Sequence, residues 1–187
     1  MNIELFHQVV SFHCESYFRQ ANDLPFTMFC PFPGNKIMCF HKQRGDDIDR
    51  DEILTMYASI LLAYDCDMYS IASESYFVTR PIKDIDVTPS EAPDRRECLL
   101  INTVSKTDQH NTVLEIKRNN GIHLVPFSID GKPDGVICRL FDRLDRLPAD
   151  RQEKLKKELS SHKSLLKTAP WATEITEENF LKGNLRA

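Results

Sequence analysis

The sequence lacks any long hydrophobic run. A helix that crosses a membrane needs about 20 consecutive apolar residues, and the longest apolar stretches here, 60–63 and 98–101, are far shorter. Basic residues are not in excess either, because 24 lysines and arginines face 28 aspartates and glutamates, for a formal net charge of −4. The sequence therefore predicts no membrane contact. No overall basic excess points to nucleic acid, which stays a possible but not a favoured partner, and a local basic patch stays open.

Glycine is also scarce, and the glycine-rich motifs of common catalytic sites are missing. The chain has six glycines, with no phosphate-binding loop and no G-x-S-x-G segment around a nucleophilic serine. Its six cysteines form no C-x-x-C pair, and its N-terminal segment has neither the basic start nor the unbroken apolar stretch of a signal peptide. We therefore expect a cytoplasmic protein whose cysteines are free thiols.

What the chain does have is the composition of a folded domain, with 41% hydrophobic and 28% charged residues. Apolar residues recur at helical spacing over residues 2–21 and from Ile53 to Tyr64. The turn signals Pro33-Gly34-Asn35 and Asn119-Asn120-Gly121 separate short segments typical of antiparallel strands. This order predicts an α+β fold. We expect an antiparallel sheet of about four to six strands, an N-terminal hairpin plus a meander, with both N-terminal helices covering one face.

The character of the chain changes after Pro133. Residues 136–144 carry an apolar stripe at helical spacing, Pro148 interrupts it, and a more polar helix with a basic side and several leucines follows. We therefore divide the chain into an α+β domain, residues 1–130, and a helical C-terminal extension, residues 131–187. The basic helix favours docking on a protein partner, or self-association, over binding to nucleic acid.

Residues 93–118 contain the order of acids and lysine found in metal-dependent PD-(D/E)xK nucleases, here Asp94, Glu115 and Lys117. On a strand, Glu115 and Lys117 share a face. The carboxylates would bind Mg²⁺ there, and the lysine would orient the attacking water. The alternating Leu114 and Ile116 also make the same pair the ordinary polar face of a strand, so both interpretations stay open.

The proline-containing loop before residue 98 is the favoured location for a binding site. Pro89 and Pro93 stiffen this loop, and its charged side chains could gather with Glu74 at one end of the sheet. Paired carboxylates can bind a cation or perform acid–base chemistry. The simpler interpretation is a loop held by turn hydrogen bonds and ion pairs. The candidate binding residues are Glu74, Glu91, Asp94, Arg95, Arg96 and Glu97.

A zinc site on the predicted hairpin is the third candidate. If Gly34-Asn35 form the turn, Cys30 lies opposite Cys39, and Cys39 shares a strand face with His41. Zinc takes four nitrogen or sulfur ligands in a tetrahedron, so a fourth ligand would have to come from elsewhere. Free cysteines are more often small buried apolar side chains. We therefore expect no cofactor, with Mg²⁺ as the alternative if the chain is a nuclease.

The segment D-x-Y-x-x-x-S-E, from Asp67 to Glu74, is followed by P-S-E-x-P-D-R-x-E, from Pro89 to Glu97. With the hairpin and helix before it, this order resembles a set of uncharacterised bacterial and phage proteins over roughly residues 25–130. The resemblance implies that Glu74 and the Pro89–Glu97 loop belong to a common architecture, and it implies no reaction.

No set of residues places a nucleophile, its base and an oxyanion donor together. We therefore expect a non-catalytic accessory or interaction protein of bacterial or phage origin. The alternative is a Mg²⁺-dependent nuclease of the PD-(D/E)xK type.

Overall fold

The structure is a computed structural model, and it describes residues 1–32, 36–41, 50–79, 87–128, 136–161 and 172–175. Within these residues the fold is α+β. The helices are α1 (Ile3–Ala21), α2 (Arg50–Ala63), α3 (Leu140–Asp145) and α4 (Ala149–Ser161), with a 3₁₀ turn at Val136–Cys138. The strands are β1 (Thr27–Phe32), β2 (Lys36–His41), β3 (Met68–Phe77), β4 (Arg96–Ser105), β5 (Gln109–Lys117), β6 (His123–Pro126) and β7 (Ala172–Ile175). None of these helices is long and apolar enough to span a bilayer.

Helix α1 has the ends that its sequence predicts. The Asn2 side chain accepts the Leu5 N–H at 2.8 Å, which satisfies one of the free donors of the first turn. At the other end, Asn22 adopts a left-handed φ of 58° and its N–H donates to the Phe18 carbonyl at 2.8 Å. Asparagine tolerates this backbone conformation and therefore ends the helix.

The strands form one antiparallel sheet in the order β6-β5-β4-β3-β1-β2-β7. The predicted hairpin of β1 and β2 and the meander of β3 to β6 are confirmed. Asn120 and Gly121 have φ values of 57° and 121°, and the turn between β5 and β6 requires such positive values. β7 pairs with β2 and adds a strand within residues that the sequence analysis assigned to a helical extension.

The two N-terminal helices lie on opposite faces of the sheet, so the prediction of a single covered face was wrong. Helix α2 packs with Met28, Phe40 and Ile71, whereas α1 packs with Phe29 and Leu99. The physical reason is visible in the hairpin, where residues 27–30 and 37–40 are buried without alternation. Successive side chains of a strand point to opposite faces, and therefore both faces need cover.

Helices α3 and α4 pack beside α2 and extend the layer on that face. Pro148 separates them, as predicted. The buried Tyr69 hydroxyl donates to the Ile137 carbonyl at 3.0 Å and accepts the Leu140 N–H at 3.2 Å, which joins this layer to β3. The hydrogen bonds of the Tyr69 hydroxyl therefore hold the start of α3 against β3. The predicted domain boundary at residue 130 lies outside the described residues.

All six cysteines are free thiols, and four of them are buried. Burial raises the pKa of the Cys39 thiol to about 12 and that of Cys98 to about 11. At neutral pH these two thiols are therefore protonated, and they pack as small apolar side chains.

A histidine network lies between α1 and the sheet. His7 contacts the hydroxyls of Thr103 and Thr112 at 2.8 and 2.9 Å, and Thr103 donates its own proton to the Ser70 hydroxyl at 3.0 Å. His7 Nδ1 must therefore carry the proton that it donates to Thr103, while Nε2 accepts from Thr112. Burial, and then the neighbouring His110, lower the pKa of His7 to about 4. The ring is thus neutral and fully hydrogen-bonded in the folded protein.

Further along α1, His13 lies against the edge of the Phe29 ring, with ring centroids 5.6 Å apart. Burial lowers its pKa to about 4 from 6.5. The unfolded chain therefore binds a proton at His13 between pH 6.5 and 4, and the folded protein does not. Stability contributed by the neutral ring is present above pH 6.5 and is lost as the pH falls towards 4.

We predict that His13→Gln reduces the dependence of unfolding free energy on pH between pH 4.5 and 6.5. Loss of this histidine should remove up to about 1.4 kcal/mol per pH unit from the slope. Urea denaturation at several pH values measures it. His123→Gln is the matched control, because that side chain is exposed at the sheet edge. Equal slopes in the parent and the His13 variant would contradict the account.

Candidate functional site

Glu115, the central residue of the nuclease interpretation, is bound by an arginine. Arg96 lies diagonally across from it on β4, and the Arg96 Nε donates to Glu115 Oε1 at 2.8 Å while Nη2 bonds the second oxygen. Lys117 Nζ lies 3.7 Å from the same carboxylate. Hydrogen bonding to Arg96 is the main reason that the pKa of Glu115 is lowered. A cation at Glu115 would therefore have to displace Arg96.

Aromatic rings hold Arg96 in place. Its guanidinium lies 5.1 Å from the Phe77 ring centroid and 5.5 Å from that of Phe127, and the two rings are 4.7 Å apart. The Glu115 side chain is only 11% exposed. This arrangement joins β3, β4, β5 and the residue after β6, which is a structural role for the pair.

Asp94, the remaining acid of the nuclease interpretation, lies exposed in the turn that leads into β4. Across the described residues, no group of three or more histidine, cysteine, aspartate or glutamate side chains is placed to hold a metal ion. The nuclease interpretation stays a prediction, and the packing of Arg96 on Glu115 is the feature that it has to accommodate.

Within the loop, the charged residues bond mainly to the loop itself. Glu91 accepts the Thr88 hydroxyl at 2.8 Å and the Thr88 N–H at 3.3 Å. Arg95 donates to the Ser90 carbonyl at 2.9 Å and lies over the Tyr76 ring, 5.3 Å from its centroid. These contacts are those of a loop held by turn hydrogen bonds.

Glu74 and Glu97 meet on the opposite face of the sheet from Arg96 and Glu115. Arg118 joins them, with its Nε 2.9 Å from Glu97 and its Nη2 3.5 Å from Glu74. Its Nη1 also bonds the side chain of Asn22 at the end of α1. The candidate binding residues are therefore divided between two faces of the sheet and a turn.

Burial is the largest influence on Glu74 and raises its pKa. Its Oε1 accepts the Leu24 N–H at 2.7 Å, just after α1 ends. This bond and the Arg118 contact tie the end of α1 to β3. Glu74 therefore has a structural position between β3 and the end of α1.

The hairpin register separates the three proposed zinc ligands. Cys30 pairs with Met38, and Cys39 pairs with Phe29, so the expectation that Cys30 lies opposite Cys39 was wrong. An odd number of residues separates Phe32 from Lys36, which shifts the register by one and turns every side chain to the other face. Cys30 therefore faces α2, whereas Cys39 and His41 share the face towards α1.

The chain was compared with known proteins at the levels of family, curated sequence and solved structure. No family model matches it, and no curated protein or solved structure matches it either. The resemblance to bacterial and phage proteins stays a prediction.

Helices α2, α3 and α4 enclose a cleft that the sequence analysis missed. We call it the arginine cleft, and its volume is about 540 Å³. Its apolar lining residues, which we call the floor, are Ala58, Leu144, Leu147 and Leu155. Its charged lining consists of Arg139, Arg143, Arg146, Arg151, Asp51 and Asp142.

A sequence signal for the arginine cleft was present. Arg139, Arg143 and Arg146 follow one another at i, i+4 and i+7, which places them on one side of a helix. The apolar stripe of the same segment predicted a helix, whereas a basic side was predicted only for the following helix, from Arg151 onwards. The spacing does not reveal how α3 docks, and this docking decides whether the arginine side of the helix faces α2.

Arg143 is held in place by side chains of α2. Its Nη2 lies 2.5 Å from Asp51 Oδ1 and its Nη1 lies 3.5 Å from the Thr55 hydroxyl, both on α2. The Arg143 hydrogen bond is the main reason that the pKa of Asp51 is lowered. The arginine is thereby oriented across the boundary between α2 and α3.

We predict that Arg96→Met lowers the free energy of unfolding by about 1–3 kcal/mol, because the nearly buried Glu115 carboxylate loses both hydrogen bonds from the guanidinium. Methionine retains most of the apolar stem, so the lost hydrogen bonds dominate the effect. Urea denaturation at neutral pH gives the difference.

Arg95→Met is the matched control, because Arg95 is exposed and bonds a turn carbonyl. Its effect should be below about 1 kcal/mol. Equal losses in the two variants would show that Arg96 has no structural role beyond that of a surface arginine.

Proposed function

We propose that the protein is a non-catalytic accessory protein, of bacterial or phage origin, that binds an acidic segment of a protein partner in the arginine cleft. The observation that carries the proposal is the gathering of four arginines over an apolar floor between three helices. Concave sites with an apolar lining and a few convergent polar groups are typical binding sites.

Charge supports an acidic partner. The cleft has four arginines and two aspartates, a formal balance of +2, in a chain whose formal net charge is −4. This local reversal attracts acidic groups and repels basic ones. The helices that form the cleft include α3 and α4, which lie in the region where the sequence favoured docking on a protein partner.

The charges of the sheet support a non-catalytic role. Glu115 is bonded by Arg96, and Glu74 and Glu97 are bonded by Arg118. Each of these acids is thus engaged in holding strands or α1 together. Among the described residues, the arginine cleft offers a concave, charged surface suited to a partner.

We predict that a fluorescein-labelled, glutamate-rich peptide binds the protein at low ionic strength. Arg146→Glu combined with Arg151→Glu should weaken this binding by at least about tenfold, because two attractive charges of the lining become repulsive. Fluorescence anisotropy measures the affinity, and circular dichroism verifies that each variant is folded.

Lys154→Glu combined with Lys157→Glu is the matched control. It makes the same change in net charge on α4, at positions outside the cleft lining. Equal weakening by both pairs would mean that the peptide senses only overall charge, and it would overturn the proposed site. Concentration-dependent self-association that the cleft variant abolishes would replace the separate partner with a second copy.

The nuclease alternative is tested directly with plasmid DNA and Mg²⁺ or Mn²⁺. A non-catalytic protein leaves the plasmid intact at every metal concentration. Cleavage that disappears in both Glu115→Ala and Lys117→Ala would establish the alternative and overturn the proposal.

A further inference from the structure

Resting on the proposed function, we propose that the acidic group recognised by the arginine cleft is a phosphomonoester on a side chain of the partner. The observations behind it are the set of arginines that lines the cleft, the contacts that hold Arg143, and the charge balance of the lining. Each points to a compact dianion rather than to a single carboxylate.

The arginines that line the cleft come from two helical segments. Arg139, Arg143 and Arg146 lie on one side of the α3 segment, and Arg151 comes from the first turn of α4. A guanidinium presents a planar set of donors that matches two oxygens at once, and a phosphate has three terminal oxygens to share among several arginines. Clusters of arginine are the usual means of recognising phosphorylated side chains.

The α2 wall orients the arginines and supplies few donors of its own. The Thr55 hydroxyl donates to the Asp51 carbonyl and the Ser59 hydroxyl donates to the Thr55 carbonyl, both at 2.9 Å. Their protons are therefore used within the helix, and Thr55 offers an acceptor to Arg143. Among the side chains of the lining, donation to an anion is thus left to guanidinium groups, one of which Asp51 already holds in position.

The charge balance fits a phosphomonoester. The formal charge of +2 on the lining is what remains after the negative charges of Asp51 and Asp142 are subtracted from the positive charges of the four arginines. A phosphorylated side chain carries about −1.5 to −2 at pH 7, which matches this excess, whereas a glutamate carries half of it. The apolar floor formed by Leu147 and Leu155 would then contact the residues beside the phosphate.

Exposed acids lie among the basic residues of α3 and α4, and they weaken the attraction of this surface for nucleic acid as the source of the phosphate. Asp145, Asp150 and Glu153 are exposed on α3 and α4, close in sequence to the arginines of the cleft. An extended polyanion would meet these carboxylates, whereas a single phosphorylated side chain enters the cleft alone. Binding of nucleic acids also relies on neutralising many phosphates along a strand.

The experiment compares three labelled peptides that differ only at a central residue flanked by leucines: phosphoserine, glutamate or serine. We expect the phosphoserine peptide to bind at least about tenfold more tightly than the glutamate peptide at near-physiological ionic strength. Arg143→Lys should remove most of that preference, because lysine retains the charge but lacks the planar pair of donors. Lys157→Gln, outside the cleft lining, should leave the preference unchanged.

Each other outcome is decisive. Equal affinity for the phosphoserine and glutamate peptides, abolished by reversing Arg146 and Arg151, would overturn this inference while the proposed function stands. If reversing the cleft arginines changes the affinity of neither peptide, this inference and the proposed function are both overturned. A labelled single-stranded oligonucleotide that binds the cleft more tightly than the phosphoserine peptide would also overturn both, since the ligand would then be a nucleic acid.

Discussion

A single buried hydroxyl sets the position of the helical layer on the sheet. Tyr69 is fully buried on β3, and its hydroxyl is shared between the Ile137 carbonyl and the Leu140 N–H. A buried hydroxyl left without partners is costly, so the two hydrogen bonds hold the start of α3 at this point of the sheet. Arg139, Arg143 and Arg146 lie within about two helical turns of this attachment, which therefore helps to place them beside α2.

The charged residues are divided between two tasks. On the sheet, arginines and acids bond each other and join strands: Arg96 holds Glu115 on one face, and Arg118 holds Glu74 and Glu97 on the other. On the helical layer, arginines outnumber the acids around one concave surface. Paired charges of the first kind fix geometry, whereas an unbalanced set over an apolar floor is suited to a charged ligand.

The local patterns predicted much of the fold, and the errors arose where tertiary packing decides. Helix α1 ends at Asn22 and the turn at Asn120-Gly121 forms because these residue types favour positive φ. The hairpin register could not be fixed, since one additional residue between β1 and β2 moves Cys30 to the face opposite Cys39. The acids that were predicted to gather at one site lie instead on two faces of the sheet. The face that each side chain occupies depends on the strand register, which the sequence does not reveal.

We propose that docking of α3 on the sheet brings Arg139, Arg143 and Arg146 together in one anion-binding cleft. Nitrogen-15 NMR spectra of the arginine Nε–H groups, recorded during titration with phenyl phosphate, test it most directly. The account predicts saturable shifts at Arg143 and Arg146, with the resonance of Arg19 on the far side of the sheet unchanged. Shifts that rise linearly and equally at all three arginines would contradict it.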